Sequence, residues 1–395
     1  MHEITIRNVQ EILQKSHIDG WLIYDFQKRN SLAIQFLDIP PSAHLTRRMF
    51  YWIPAKGSPV KIVHVIEPHF LDKWPGEKQV YFQWQKLEET LSKLLSGSKT
   101  VAMEYSPKCA IPYASIIDAG MADLIRSFGV EIVSSSGFLQ YFTCVLDEEQ
   151  RQSQQQAALI LDQAASDAWQ LISSSLKKGE RISEYQVQQF IKSEFTSKGC
   201  ISQGDPICAV NAHSSDPHFS PSKENDTLIQ KGDFVLIDLW CKKNTPKAIY
   251  GDISRVAVAA VDPSDKQKEI FSIVRRAQKA ATDFIIESFS QNKQVRGCDA
   301  DKVARDVIEN AGYGQFFTHR TGHNIHTDDH GPGTHLDSLE TKDERPLIPG
   351  TCFSIEPGIY LPGEFGVRLE YDVYISPSGK VEVTGGIQEE IVTLM

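Results

Sequence analysis

His319-Arg-Thr-Gly-His323-Asn-Ile-His326 opens the stretch on which the reading of this chain turns. It continues through Asp329-His330-Gly-Pro-Gly and Cys352-Phe-Ser-Ile-Glu356-Pro-Gly-Ile-Tyr360, and closes with Phe365-Gly-Val-Arg368-Leu-Glu370-Tyr-Asp372. Histidines crowd one segment. Two glutamates then stand inside apolar, strand-like runs. A buried carboxylate without a partner costs several kcal/mol, about enough to undo a good part of a domain's stability. A chain that keeps such groups pairs them with cations or binds a metal.

Upstream, Phe234-Val-Leu-Ile-Asp238-Leu-Trp240 and Ala248-Ile-Tyr-Gly-Asp252-Ile-Ser-Arg-Val-Ala-Val258 repeat the pattern. Each is an apolar strand interrupted by one aspartate. Period-two alternation puts Leu236 and Asp238 on one face of the first, and Asp252, Ser254 and Val256 on one face of the second. The segment 241–247 reads as a hairpin loop, which would bring the two aspartates together. The alternative for each is a turn position at a strand end. In 366–373, Val367, Leu369, Tyr371 and Val373 face one way and Arg368, Glu370 and Asp372 the other; a solvated strand face would give the same alternation. Glu356, ahead of Pro-Gly, also fits a turn. His319, His323, His330 and His218 stand outside regular periodicity, and loop histidines near acidic strands raise the prospect of function.

The rest of the chain frames this region. With 395 residues, two domains are expected. A hydrophobic share of 41% and a charged share of 23% suit a globular protein. The net charge of −10 gives no general attraction to nucleic acid or to an anionic membrane. No apolar run approaches the ~20 residues of a membrane span, and the N-terminus does not read as a signal peptide. The seven cysteines are scattered and odd in number, which fits reduced thiols in a cytoplasmic protein.

In the first part, the pattern predicts helices over 8–18, 86–95 and 115–127. Strands are predicted over 21–24, 50–53, 60–66, 101–103 and 130–133. This is an α/β domain whose histidines (17, 44, 64 and 69) are isolated and read as structural. A polar run from Leu146 to Gln156 marks the boundary, and its glutamines read as a solvated helix face. The helix that follows should run to about residue 173, with Leu161, Ala164, Ala165, Ala168 and Ile172 inward. Ser183/Gln186 and Ser264/Gln267 fit capping boxes that open two further helices.

In order and type, these residues resemble the metallopeptidases of the pita-bread fold, in particular their proline-specific branch of prolidase and aminopeptidase P. The resemblance covers nearly the whole chain. It implies an α/β (α+β) protein with a creatinase-like N-terminal domain, 1–145, and a pita-bread catalytic domain, 146–395. It implies that Asp238, Asp252, His323, Glu356 and Glu370 ligate two divalent ions, with Asp252 and Glu370 bridging. A mostly oxygen ligand set with one imidazole suits Mn²⁺, with Co²⁺ or Zn²⁺ as alternatives. The implied reaction is hydrolysis of Xaa-Pro bonds in dipeptides or short peptides by a metal-bridging hydroxide. Glu356 would shuttle the proton, His218 and His330 would hold the substrate, and His319 and Arg368 would favour proline-specific cleavage. A homodimer is implied as well.

The chain departs from the family at Asn324 and His326, where glycine is usual, and by about three extra residues between Asp238 and Asp252, which loops tolerate. His326 is expected either to narrow or re-polarise the substrate pocket or to face solvent. Other readings are a non-peptidase hydrolase of the same fold, such as creatinase or ectoine hydrolase, and an inactive binding protein.

Overall fold

Residues 234–258 fold back on themselves because two β-branched, apolar runs flank a short polar turn. In the computed structural model, which describes residues 2–40 and 42–395 (side chains from residue 5), the chain divides into two units, Met1–Thr143 and Cys144–Met395.

The first unit contains α1 (His2–Lys15), β1 (Gly20–Asp25), α2 (Ser31–Phe36), β2 (Met49–Pro54), β3 (Val60–His64) and β4 (Glu77–Tyr81). It continues with α3 (Trp84–Leu95), β5 (Thr100–Met103), α4 (Ala119–Ser127), β6 (Glu131–Ser134) and α5 (Ser136–Thr143). The strands form one mixed sheet, ordered β4-β3-β2-β1-β5-β6. Each sheet face carries its own buried cluster, one around Trp21 and Phe36, the other around Phe50 and Leu91. Three differences from the sequence reading stand out. The first helix spans residues 2–15 rather than 8–18, because Val9 and Leu13 share its buried face with Ile6. The edge strand β4 went unforeseen, since a pattern of mostly exposed side chains gives it no apolar alternation. The short helices α2 and α5 are held by a cap and by tertiary packing rather than by a long periodic run.

The second unit opens with α6 (Glu148–Lys178), capped by an Asp147/Gln150 box and stopped by Gly179 in the left-handed region (φ 73°). It runs five residues beyond the expected end because the apolar face continues to Leu176. Next come α7 (Glu184–Ser197), β7 (Cys200–Ile201), β8 (Ile207–Val210), β9 (Phe234–Lys243) and β10 (Gly251–Val258). Then follow α8 (Asp265–Ser290), α9 (Gly297–Asn310), β11 (Asn324–Ile325), β12 (Cys352–Ile355) and β13 (Gly358–Leu361). The chain ends with β14 (Phe365–Arg368), β15 (Tyr371–Ile375), β16 (Val381–Thr384) and β17 (Val392–Thr393). Both expected capping boxes, at Ser183 and Ser264, are formed.

β9 and β10 pair antiparallel at the centre of the sheet β17-β10-β9-β7, with β8 also against β9. One face of this hairpin, with Val235, Ile237, Leu239, Ile253 and Ala257, packs on the inward residues of α6. The other face starts in a second core, at Leu236 and Val256, which α8 and α9 cover. Further along, that same face carries Asp238, Ser254 and Asp252. The expected hairpin loop over 241–247 is shorter than that, because its first three residues belong to β9. β9 runs on to Lys243, and Lys242 and Lys243 pair with β7.

The stretch 366–373 is not one strand. It breaks at Leu369 and Glu370, with β14 pairing β13 and β15 pairing β12. The alternation of faces nonetheless survives the break. Val367, Leu369, Tyr371 and Val373 lie in the core, and Arg368, Glu370 and Asp372 are buried on the opposite side rather than solvated.

Candidate metal centre and active site

A cavity of about 550 Å³ opens on that face, and all nine residues singled out in the sequence line it: Asp238, Asp252, His323, Glu356, Glu370, His218, His319, His330 and Arg368. Strand register explains the acids. Ser254 is opposite Asp238 and Trp240 opposite Asp252, so the two aspartates lie diagonally on one face. Glu356 follows the end of β12, where its backbone N–H donates to Thr321 O (2.7 Å). Glu370 stands at the break between β14 and β15, its N–H bonded to Ser254 O (3.3 Å).

His323 is held by irregular backbone. Its N–H donates to Ser354 Oγ (3.1 Å), and its carbonyl accepts from Ser354 N (2.8 Å). Gly322 passes so close to β12 that a Cβ there would lie 2.0 Å from Ser354 O, so only glycine fits. Asn324, in a place where the family usually has glycine, ties the following loop together. Its side chain donates to Cys352 O (2.8 Å) and accepts from Gly333 N (2.9 Å). His326 neither lines the cavity nor faces solvent. It is 5% exposed, behind the wall, with Nδ1 3.3 Å from Thr327 Oγ1. Its carbonyl accepts from Tyr250 N, which ties this loop to the approach to β10.

The site is short of donors and rich in acceptors. Atoms of Asp252, His323 and Glu370 lie within 4.8 Å of one another. His323 Nε2 is 3.6 Å from Asp252 Oδ2 and 3.4 Å from Glu356 Oε1. Its Nδ1 faces the Asn324 carbonyl (3.4 Å), an acceptor, so Nδ1 holds the proton and Nε2 turns a lone pair toward the carboxylates. Asp252 Oδ1 and Glu370 Oε1 are shut off from solvent and receive no hydrogen bond among the described residues. Burial pushes the pKa of both carboxyls well up, and the charge of Glu370 on Asp252 and of Glu356 on Glu370 adds to it. Burial likewise raises Glu356 to about 7 and drives His323 well below its usual value. Orphaned carboxylate oxygens around a neutral imidazole fit divalent cations, whose positive charge would replace the missing protons.

Around this set lies a supporting layer that the sequence reading had not assigned. Ser254 Oγ takes Arg368 Nε (2.8 Å) and faces both Asp238 Oδ1 (2.5 Å) and Glu370 Oε2 (2.9 Å). Its place on the face of Asp252 was the available signal. Asp372 Oδ2 accepts from Asp252 N (3.0 Å) and from Gln154 Nε2 (2.8 Å). Gln154 is therefore buried, not part of a solvated face, because the carboxylate of Asp372 needs a donor there.

The histidines have definite tautomers. His319 Nδ1 faces the Arg320 carbonyl (2.7 Å), so Nε2 accepts from the Tyr360 hydroxyl (2.8 Å), whose oxygen in turn takes Arg368 Nη1 (3.0 Å). Burial, followed by the charge of Arg368, lowers His319 to about 3, so it is neutral. Arg368 Nη2 pairs with Asp238 Oδ2 (2.5 Å). Arg320 Nη2 donates to His330 Nδ1 (2.9 Å), which leaves His330 with its proton on Nε2. The His330 ring lies against His323, centroids 3.9 Å apart, and His218 is exposed at the cavity wall.

A mixed α/β unit with a pita-bread sheet pair over a carboxylate-histidine cavity defines a metallohydrolase class. Residues 152–377 match metallopeptidase family M24, and the chain belongs to that family. It is 33% identical to an uncharacterized peptidase of Bacillus subtilis, YqhT, over 66% of this chain and 68% of that protein. It is 29% identical to an Xaa-Pro dipeptidase of Lactobacillus delbrueckii subsp. lactis, over 75% and 74%. Its fold matches the crystal structure of the dipeptidase PepE from Mycobacterium ulcerans with a TM-score of 0.70 at 23% identity, covering 100% and 98% of the two chains. No helix among the described residues is long and apolar enough to cross a membrane.

Proposed function

We propose that this metallopeptidase is an Xaa-Pro dipeptidase with two divalent ions, most simply Mn²⁺, held by Asp238, Asp252, His323, Glu356 and Glu370. The observation that carries the reading is the pair of buried oxygens, Asp252 Oδ1 and Glu370 Oε1, that receive no donor beside the lone pair of His323. The Xaa-Pro specificity is supported by the relative from Lactobacillus and by His319 and Arg368 at the cavity. When bound, the ions lower the pKa of a water and polarise the scissile carbonyl.

The chain's own groups do the rest. Glu356 takes a proton from the attacking water and delivers it to the prolyl nitrogen as the C–N bond breaks. His330, with its proton fixed on Nε2 by Arg320, donates to the oxygen of the tetrahedral intermediate. His218 adds a second ring at the substrate side. The neutral His319 and Tyr360 hold Arg368 in place, its charge set against Asp238. We further propose that residues 1–145 are a creatinase-type domain, that the protein works in the cytoplasm, and that it is a homodimer.

The test is direct. Metal content of the purified protein is measured, followed by hydrolysis of Gly-Pro, Ala-Pro and Arg-Pro-Pro with and without chelator. Metal-dependent cleavage of the dipeptides, with Arg-Pro-Pro left intact, is expected. Full-speed hydrolysis by metal-free protein would overturn the reading.

A further inference from the structure

Asp329 lines the cavity but takes no part in the hydrolytic steps. Its Oδ1 is closed to solvent and receives no hydrogen bond among the described residues. Its Oδ2 lies 3.7 Å from His330 Nε2, beyond hydrogen-bonding distance. A carboxylate in such a position is costly unless a cation meets it.

The two ends of the cavity differ. At one end, Arg368 Nη1 reaches toward Pro217 O (3.4 Å) and bonds Tyr360, with His319 next to them. At the other, Gln203 reaches Asp328 Oδ1 (2.9 Å) and accepts from Asp329 N (3.4 Å), which fastens the Asp329 backbone to the segment that leads into Ile207. Ile207 is opposite Asp238, and Trp240 is opposite Asp252, so both apolar side chains stand on the face that carries the two aspartates. A zwitterionic dipeptide fits this polarity with its carboxylate toward the arginine and its N-terminal residue toward Asp329.

A third metal ion is the competing occupant. Atoms of His323, Asp329 and His330 do lie within 4.8 Å of one another. However, the Arg320 guanidinium occupies the lone pair of His330 Nδ1, so His330 Nε2 carries a proton and cannot ligate. The lone pair of His323 already faces Asp252 and Glu356. Such an ion would have only Asp329 to itself. An organic cation needs a single carboxylate and an apolar wall for its stem, and Trp240 and Ile207 supply that wall.

We propose that Asp329 receives the cationic side chain of the substrate's N-terminal residue, so that the enzyme prefers Lys-Pro and Arg-Pro over neutral Xaa-Pro dipeptides. This rests on the Xaa-Pro reading of the site. The experiment compares kcat/KM for Lys-Pro, norleucyl-Pro and Glu-Pro in the metal-loaded wild type, Asp329→Asn and Asp329→Lys, with metal content measured for each. In the wild type, Lys-Pro should exceed norleucyl-Pro by about tenfold or more, the size of a charge-assisted contact. In Asp329→Asn that ratio should fall to about one, and in Asp329→Lys the preference should move to Glu-Pro. A Lys/norleucine ratio unchanged by Asp329→Asn, or loss of a bound metal ion from that variant, overturns the assignment and leaves the peptidase reading intact. If neither Lys-Pro nor norleucyl-Pro is cleaved or bound in calorimetry, the Xaa-Pro reading falls and takes this assignment with it. If both bind without turnover, the ratio of their affinities decides the assignment in the same way.

Discussion

Glu104 in the first unit and Glu370 in the second are both sealed from solvent, and burial raises the pKa of both. They are held in opposite ways. Glu104 collects three donors: Trp21 Nε1 (2.7 Å), Asn30 Nδ2 (2.8 Å) and Ser135 Oγ (3.0 Å). Glu370 has one hydroxyl on Oε2 and, among the described residues, nothing on Oε1. A buried acid therefore says little about function. The count of donors around it says much more, because a satisfied acid stabilises the fold while an unsatisfied one is kept at the expense of stability.

Exchanging the two acids in turn should give the largest contrast. Glu104→Ala leaves three buried donors unpaired and should cost about 3 kcal/mol of stability, with metal content unchanged. Glu370→Ala should abolish metal binding and turnover while the metal-free protein unfolds at the same temperature as metal-free wild type or higher. Calorimetry with metal analysis reads both. Loss of metal from the Glu104 variant would break the comparison. Next in size is Glu356→Gln, where removal of the proton carrier should lower kcat by about 10²- to 10⁴-fold; a fall confined to KM would remove Glu356 from proton transfer.

The same contrast predicts how stability varies with pH. In the unfolded chain these carboxyls lose their protons near pH 4. In the metal-free fold, Glu356 keeps its proton to about 7, and burial raises Asp252 and Glu370 as well. Between those limits the native state binds more protons than the unfolded one, so its stability falls as pH rises, by an amount on the order of a few kcal/mol. Divalent ions take over the role of the protons, so the gain from metal grows with pH. The difference in Tm between metal-loaded and chelated protein should thus be wider at pH 8 than at pH 5. A gap that narrows would mean that the acids are ionised without metal.

How much was legible in the sequence follows the same line. Asp238 and Asp252 interrupt runs with a period of two, so their strands, shared face and hairpin could be read from local pattern. Arg368 and Glu370 kept their face even though the strand breaks between them, because the core residues on either side keep alternating. The loop around His323 has no period. Its shape depends on His323 meeting Ser354 across 31 residues; the crowding of histidines marked the loop, and the resemblance assigned His323 as a ligand. Gln154 was misread because the partner that buries it, Asp372, lies 218 residues away. Gln154→Leu strips that support from Asp372 and Asp252, and metal affinity should fall by about 10- to 100-fold. An unchanged affinity in a metal titration would reduce Gln154 to a packing residue.

His326 should give the smallest effect. It stands where the family usually has glycine, which left two expectations, a side chain that narrows or re-polarises the substrate pocket or one that faces solvent. The structure puts the ring behind the wall, beside Thr327, with Asp328 and Lys242 near enough for their opposite charges to act on the imidazole. Burial holds it neutral, lowered to about 4, so it brings no charge to the cavity at neutral pH. His326→Ala should therefore alter kcat/KM ratios across Gly-Pro, Ala-Pro and Lys-Pro by less than about twofold, while the lost packing costs about 1 kcal/mol. Asp329, three residues on, differs: it lines the cavity, and no donor among the described residues satisfies its Oδ1. If the His326 variant shifted the ratios as strongly as Asp329→Asn, position in the cavity wall would not be what selects the substrate, and a movement of the whole 323–330 loop would be.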